Sequence, residues 1–247
     1  MADKNVTRGE MLYEGKAKQV FATDKSELVL IHFKDDATAF NGEKKGQIEE
    51  KGIVNNKLSA SFFRLVESAG VPTHFITRIN DRDMLCRKVA IIPLEVIVRN
   101  IVAGSLAKRT GQAEGTELPE PLVELTYKDD AQGDPLVTKE QAVSMGAAKA
   151  EEIDQICTMA LQVNDVLYPW LLEKKLRLVD FKLEFGRNEE GHIVLADEIS
   201  PDTCRFWDSE TGEKLDKDRF RRDMGGEKEA YVEVWNRVGD FRFAIPE

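Results

Sequence analysis

The part of this sequence that most plainly could do chemistry is a short charged pattern in its last third. In LVDFKLEFG, residues 178–186, Asp180, Lys182 and Glu184 recur at every second position. In an extended strand these three share one face, while Val179, Phe181, Leu183 and Phe185 form a core face on the other. After the turn-like RNEEG the chain returns as HIVLADEIS, which sets Asp197 roughly opposite Glu184, to within a residue or two. Like charges facing each other across a sheet repel, so two carboxylates beside a lysine call for a further cation. Magnesium takes oxygen ligands and is commonly held by one or two carboxylates plus substrate phosphates, which makes Glu184 and Asp197 candidate metal ligands. An ordinary solvated strand face accounts for the same residues, and neighbouring motifs have to decide.

Three such motifs carry cations. GKAK places Lys16 and Lys18 on one face of an extended segment opened by Gly15, an arrangement that could cover polyphosphate. It lacks the spacing of a P-loop or a dinucleotide fingerprint and also reads as a plain surface turn. Arg99 ends an apolar strand, and GSLAKR after it offers Gly104, Ser105 and two cations. Backbone amides at such a turn bind phosphate, although Ser105 also reads as a helix cap. SPDTCRFWD places Asp202 and Arg205 just past the carboxylate hairpin, where loops at strand ends often carry sites. DRFRRD adds Arg219, Arg221 and Arg222, which taken alone are a solvated helical face.

The elements that must position these groups follow from periodicity. Strands are expected around Gly15, at Leu28–Phe33, at 73–79 and at 84–89, with a break at Pro93 and an alternating strand over EVIVRN. Helical spacing predicts a helix over 55–69, a long one through Ile153, Ile156, Leu167 and Leu171, and a closing one over 227–238. Thr138 and Gln141 form a capping box opening another. The Gly-, Pro- and acid-rich stretch 111–135 is expected to be extended loop with at most short strands. The order of elements implies α+β, as two lobes sharing a hinge near Pro93: a small β-rich lobe over 1–92 and a larger mixed lobe over 93–247.

Composition narrows the function classes. With 247 residues, 42% hydrophobic and 32% charged, the chain is long enough for a sizeable core. A formal net charge of −10 argues against nonspecific binding to nucleic acid or anionic membranes. The polar start and the lack of a long apolar run lead to an expected cytoplasmic location. Cys86, Cys157 and Cys204 are far apart and show no ligand spacing with His32, His74 or His192, so neither disulfides nor zinc are expected.

The segments LYEGKAKQVF, DDATAFNGEKKGQIEEKGIVNNKLS, VRNIVAGSLAKR, KDDAQGDP, LVDFKLEFG, ADEISPDTCRFWD and DKDRFRRDMGG, in this order, resemble the SAICAR synthetase family over nearly the whole chain. The resemblance implies a two-lobed fold related to ATP-grasp enzymes. It also implies an ATP-dependent ligation of L-aspartate to a carboxyaminoimidazole ribonucleotide, giving the succinocarboxamide, ADP and phosphate in purine biosynthesis. ATP would lie between the lobes, near Gly15, Lys16, Ala17, Lys18 and Lys128, with Val20 and Ile91 against adenine. Glu184 and Asp197 match the family's metal carboxylates, Lys182 lies beside them near ATP, and Asp134 is implied to assist a second metal or the incoming amine. Arg99, Gly104, Ser105, Asp202 and Arg205 match residues around the ribonucleotide. The family's habit adds a homodimer, and the end of the chain soon after Trp235 implies a bacterial or archaeal type. Asn41 stands where many relatives carry Asp and is left out of the site. A kinase is the first competing class, but HRD-type and DFG motifs are missing from the sequence. A nonenzymatic nucleotide-binding module would have no reason to oppose two carboxylates.

Overall fold

The computed structural model describes residues 6–40, 42–129 and 131–241, so Asn41 lies outside the described residues. The first sheet is antiparallel and five-stranded. It contains β1 (Arg8–Glu14), β2 (Lys18–Thr23), β3 (Leu28–Phe33), β6 (Phe75–Arg78) and β7 (Asp83–Arg87), in the order β1-β2-β3-β7-β6. A separate hairpin, β4 (Asp36–Ala39) with β5 (Lys44–Gln47), leads into α1 (Lys51–Ser68).

The second sheet is built on β8 (Ala90–Ile101), β9 (Glu117–Tyr127) and β11 (Leu176–Arg187), with β10 (Leu136–Val137) and β12 (Ile193–Ala196) at its ends and β13 (Cys204–Asp208) also paired to β11. The remaining helices are α2 (Gly104–Thr110), α3 (Lys139–Ser144), α4 (Ala150–Glu173), α5 (Asp218–Arg221) and α6 (Glu227–Val238).

Periodicity anticipates α1, α4, α6 and the β11–β12 hairpin closely, and the Thr138–Gln141 capping box forms with both of its hydrogen bonds. Two expectations are corrected. β8 runs unbroken through Pro93, because the proline falls opposite the irregularity between Glu184 and Gly186 in the β8–β11 ladder, where a missing N–H is tolerated. The 111–135 stretch contains an eleven-residue strand, β9. Its Pro119 and Pro121 lie in the part of β9 that pairs with β8 alone, since β10 reaches only Leu125 and Thr126, so the ring nitrogens cost no ladder bond on the open edge.

One apolar core runs between the sheets and helices and joins residues of both. α1 supplies much of it: Leu58, Phe62, Phe63 and Val66 are fully buried, and Phe62 stacks on Phe206 at 6.1 Å and meets Trp170 edge-on at 6.3 Å. α1 thus ties the first sheet to the segment that follows the charged hairpin. Phe62→Ala is expected to lower the unfolding free energy by about 3–5 kcal/mol, the usual range for truncating a buried aromatic, as measured by urea denaturation.

Candidate functional site

On β11 the alternation holds from Asp180 onward: Asp180, Lys182 and Glu184 share one face, and Phe181, Leu183 and Phe185 are buried on the other. Val179, expected on that core face, falls at the irregularity between Leu178 and Asp180 and is buried instead with Ile101, Ala103 and Trp207. Glu184 pairs with Ala196, so Asp197 lies one residue past its expected register. Strict alternation would carry Asp197 to the Leu195 side. Instead its backbone is left-handed, with φ 59°, and its carboxylate meets Lys182. A non-glycine residue held there costs of order 1–3 kcal/mol and persists only where its surroundings fix it.

The surroundings do so through charge. Lys182 Nζ lies 2.7 Å from Glu184 Oε1, 3.3 Å from Asp197 Oδ2 and 3.3 Å from Glu95 Oε1. Lys128 donates to Glu184 Oε2, and Lys18 donates to Asp197 and lies 2.9 Å from Glu198 Oε1. Burial on its own would push the Asp197 carboxyl up, but the ammoniums of Lys18 and Lys182 outweigh it and hold the group well below the usual carboxylate range. Burial likewise opposes the charges on Lys18 and Lys182, and their carboxylate partners overcome it, raising both above an ordinary lysine. The repulsion inferred between Glu184 and Asp197 is therefore met, in the protein itself, by lysines.

Four residues from Glu184 along the same strand pair, Arg99 of β8 pairs with Asp180 of β11, a separation of about 13 Å at the rise of an extended chain. Arg99 is buried and donates to Glu124 Oε2 at 2.6 Å, Asp180 Oδ2 at 2.9 Å and Ser105 Oγ at 3.0 Å. Ala103, not Ser105, is the cap of α2, which leaves the serine hydroxyl beside the guanidinium. Arg205 forks onto Asp180, at 3.0 and 2.8 Å, and onto Asp218 Oδ2 at 3.0 Å. Gly104 has φ 53°, and a Cβ there would lie 2.3 Å from an Arg205 nitrogen, so only glycine lets the guanidinium approach. Asp202, with its side chain nearly covered, accepts from Lys51 at 2.5 Å, Asn55 at 3.0 Å and the Tyr231 hydroxyl at 2.8 Å.

Part of this array lines a cavity of about 330 Å³ that takes in Lys16, Glu95, Arg99, Ser105, Asp180, Lys182, Asp202, Arg205, Lys217 and Arg221, whereas Glu184, Asp197, Lys18 and Lys128 lie outside its lining. A second cavity of about 570 Å³ is lined by the glycine hairpin (Tyr13, Glu14, Gly15, Lys16) and by the β4–β5 hairpin, and it shares Lys16, Thr38 and Gly42 with the first. Lys16 thus bridges the two. Ala17 lines neither cavity; its carbonyl accepts from Lys34 N at 2.8 Å.

Val20 packs on the core, and Ile91 is exposed on β8; neither lines these cavities. Asp134 stays in a local turn, its carboxylate accepting from Asp129 N at 2.9 Å, and the geometry does not bring it to the lysine cluster. Sequence reasoning missed Glu95, Glu198, Lys51 and Lys217. Glu95 was readable, because it alternates with Arg99 in EVIVRN; Lys51 and Lys217 come to the site only by tertiary packing.

A two-lobed α+β chain whose cleft joins lysine-neutralised carboxylates to an arginine cradle is an enzyme built for polyanionic substrates. Residues 11–238 match the model of the SAICAR synthetase family. Over 229 residues the chain is 60% identical to the phosphoribosylaminoimidazole-succinocarboxamide synthase of Clostridium beijerinckii and 58% identical to that of Clostridium botulinum, covering 93% of this chain and 97% of each relative. Among solved structures, the phosphoribosylaminoimidazole-succinocarboxamide synthase of Ehrlichia chaffeensis superposes with a TM-score of 0.92 at 42% identity, over 94% of this chain and all of that one. A SAICAR synthetase in complex with ADP superposes at 0.89 with 49% identity, over 95% of this chain and 99% of that one. The chain belongs to the SAICAR synthetase family, ATP-dependent ligases of purine biosynthesis.

Two outcomes follow for the arginine cradle. Gly104→Ala is expected to cost about 1–3 kcal/mol in urea unfolding from the left-handed backbone alone and to displace Arg205. Behind Arg205, burial and the Asp218 charge push the Asp216 carboxyl up to about 7. An unfolded Asp titrates near 3.9, so the folded state holds the proton longer. The associated stability is fully present below about pH 4 and is lost as pH rises through about 7. Unfolding free energies of Asp216→Asn across that window are expected to slope less steeply downward with pH than those of the parent.

Proposed function

We propose that this ligase activates the carboxylate of a carboxyaminoimidazole ribonucleotide with ATP and joins it to the amine of L-aspartate at the cleft between residues 1–92 and 93–247. The observation that carries the reading is the single β8–β11 face with a lysine–carboxylate cluster at one end, an arginine–serine cradle at the other and Lys182 between them. Such a face suits a ligand with a phosphate at one end and a reacting carboxylate at the other. Arg99, Ser105 and Arg205 take the ribonucleotide phosphate, with Gly104 allowing close approach and Asp202 accepting from sugar or base. Lys16 and Lys18 of the glycine hairpin, with Lys128 and Lys182, take the ATP phosphates, and the nucleoside is assigned to the side of Ala17, Val20 and Ile91, outside the two cavities. Asp134, on the loop that follows β9, is the group assigned to the incoming amine.

Glu184 and Asp197 fit a magnesium ion. Both are oxygen ligands already drawn to one cation, Lys182. Among the described residues no group of three or more His, Cys, Asp or Glu forms a closed cage, so phosphate and water would complete the shell, as magnesium prefers. When bound, the ion neutralises charge on the phosphoryl group in transfer.

A carboxylate is a poor electrophile. Transfer of the γ-phosphoryl group to its oxygen releases ADP and leaves an acyl phosphate; the aspartate nitrogen then attacks the acyl carbon, the C–O bond to phosphate breaks, and the amine gives up a proton. Lys182 and its neighbouring ammoniums are held in place before the reaction, so they offset developing negative charge without reorganising. Closing the two hairpins over the cavities would keep water from the acyl phosphate. A cytoplasmic homodimer completes the reading on the strength of the family resemblance. No helix among the described residues is long and apolar enough to cross a membrane.

ADP release is expected to require both aspartate and the ribonucleotide; turnover with a hydroxyl acceptor in place of aspartate would contradict the proposal. Glu184→Gln and Asp197→Asn are each expected to lower kcat by a factor of a hundred or more, about 2.7 kcal/mol in the barrier, while circular dichroism stays unchanged. Wild-type rates in either variant would remove the metal assignment. Titrations of Lys16→Ala and Ser105→Ala are expected to split, the first weakening ATP and the second the ribonucleotide.

A further inference from the structure

Within the first cavity nearly every cation has an acceptor. Arg99 and Arg205 share Asp180, Arg221 donates to Asp218 Oδ1 at 2.5 Å, and Lys182 has three carboxylates within 3.3 Å. Lys217 differs. Its side chain is only 13% exposed, and among the described residues its one carboxylate within ion-pair range is Asp202, at 3.8 Å, too long for a hydrogen bond. That carboxylate is already satisfied at short range by Lys51, Asn55 and Tyr231. Lys51, Lys217 and Asp202 together therefore carry one positive charge in excess, at a position open to the cavity.

A nearly buried ammonium with no hydrogen-bond acceptor is costly unless something anionic completes it. Burial, which the Asp202 and Glu198 charges only partly offset, pushes Lys217 below the ordinary lysine range. The backbone holds it there: Lys217 N donates to Pro201 O at 3.1 Å, and Asp216 beside it accepts from Phe206 N and Asp218 N at 2.9 and 2.7 Å. The ammonium is thus set by the same loop that carries Asp202, not by a mobile surface segment.

The reaction brings three anions to this cleft. Under the functional reading above, on which this step rests, the ATP phosphates and the ribonucleotide phosphate already have their cations. The amine substrate brings two carboxylates of its own. We propose that Lys217 binds one carboxylate of the amino dicarboxylate co-substrate and is the residue that selects for it, Arg221 standing beside it on the same wall. A compact ammonium suits a single carboxylate held at one point, whereas a bidentate phosphate contact is the habit of arginine.

The test is steady-state kinetics on Lys217→Met and Lys217→Gln, with the parent protein in parallel and succinate, which has both carboxylates but no amine, as a competitive probe. The KM for aspartate and the Ki for succinate are expected to rise together by at least tenfold, with the KM values for ATP and ribonucleotide within threefold of the parent. Lys217→Arg is expected to recover part of the aspartate affinity. An unchanged aspartate KM, or a rise confined to the ribonucleotide, overturns the assignment. If Lys217→Met fails to fold, the glutamine variant and the arginine rescue still decide it. Failure of the parent to use aspartate at all would count against the functional reading itself, a result separable from any effect of the variants.

Discussion

Everything in the cleft depends on one electrostatic constraint: Glu184 and Asp197 are brought together on the face of Lys182 and must be neutralised there. Charges taken out of water and left unpaired cost several kcal/mol each, and removing one partner of a buried pair typically costs about 3–5 kcal/mol. The protein meets this with Lys18 from the first sheet, Lys128 from the end of β9 and Lys182 from β11. Three distant parts of the chain are thereby tied to one point. The same neutralisation supports the left-handed backbone at Asp197 that puts its carboxylate in the cluster.

The arrangement also explains how a site for polyanions can exist in a chain with a net charge of −10. Under the proposed function, lysines and arginines are concentrated where phosphate would be bound and are held by carboxylates that a ligand would partly replace. Bound ATP would take over ammoniums now engaged by Glu184 and Asp197, freeing those carboxylates for a metal ion. The exchange keeps the number of close opposite-charge contacts roughly constant. Carboxylates and lysines on this face are therefore two halves of one device.

Much of this was legible in the sequence wherever function follows local periodicity. The alternation of Asp180, Lys182 and Glu184 located the charged face, and the helical stripes through Phe62 and Leu167 located the helices that support it. What escaped was set by tertiary structure. Pro93 reads as a break because its neighbours do not reveal that it meets an irregularity in the partner strand. β9 reads as loop because its prolines do not reveal which edge is open. Asp197 was anticipated near Glu184, but the backbone turn that delivers it one residue later has no local signal. Lys51 opens a helix 151 residues from Asp202, and nothing in its own segment indicates that contact. The β4–β5 hairpin, which forms a wall of both cavities, carries too few apolar residues to be read as strand.

The central question for the site is whether the lysines of this cluster hold the place of a cation bound with ATP. A crystal structure with magnesium, a nonhydrolysable ATP analogue and the ribonucleotide tests it directly. The expected result is a metal ion held by Glu184 and Asp197, Lys128 moved from Glu184 to a phosphate oxygen, and the ribonucleotide phosphate against Arg99 and Ser105. Intact lysine–carboxylate pairs with the nucleotide bound elsewhere would contradict it.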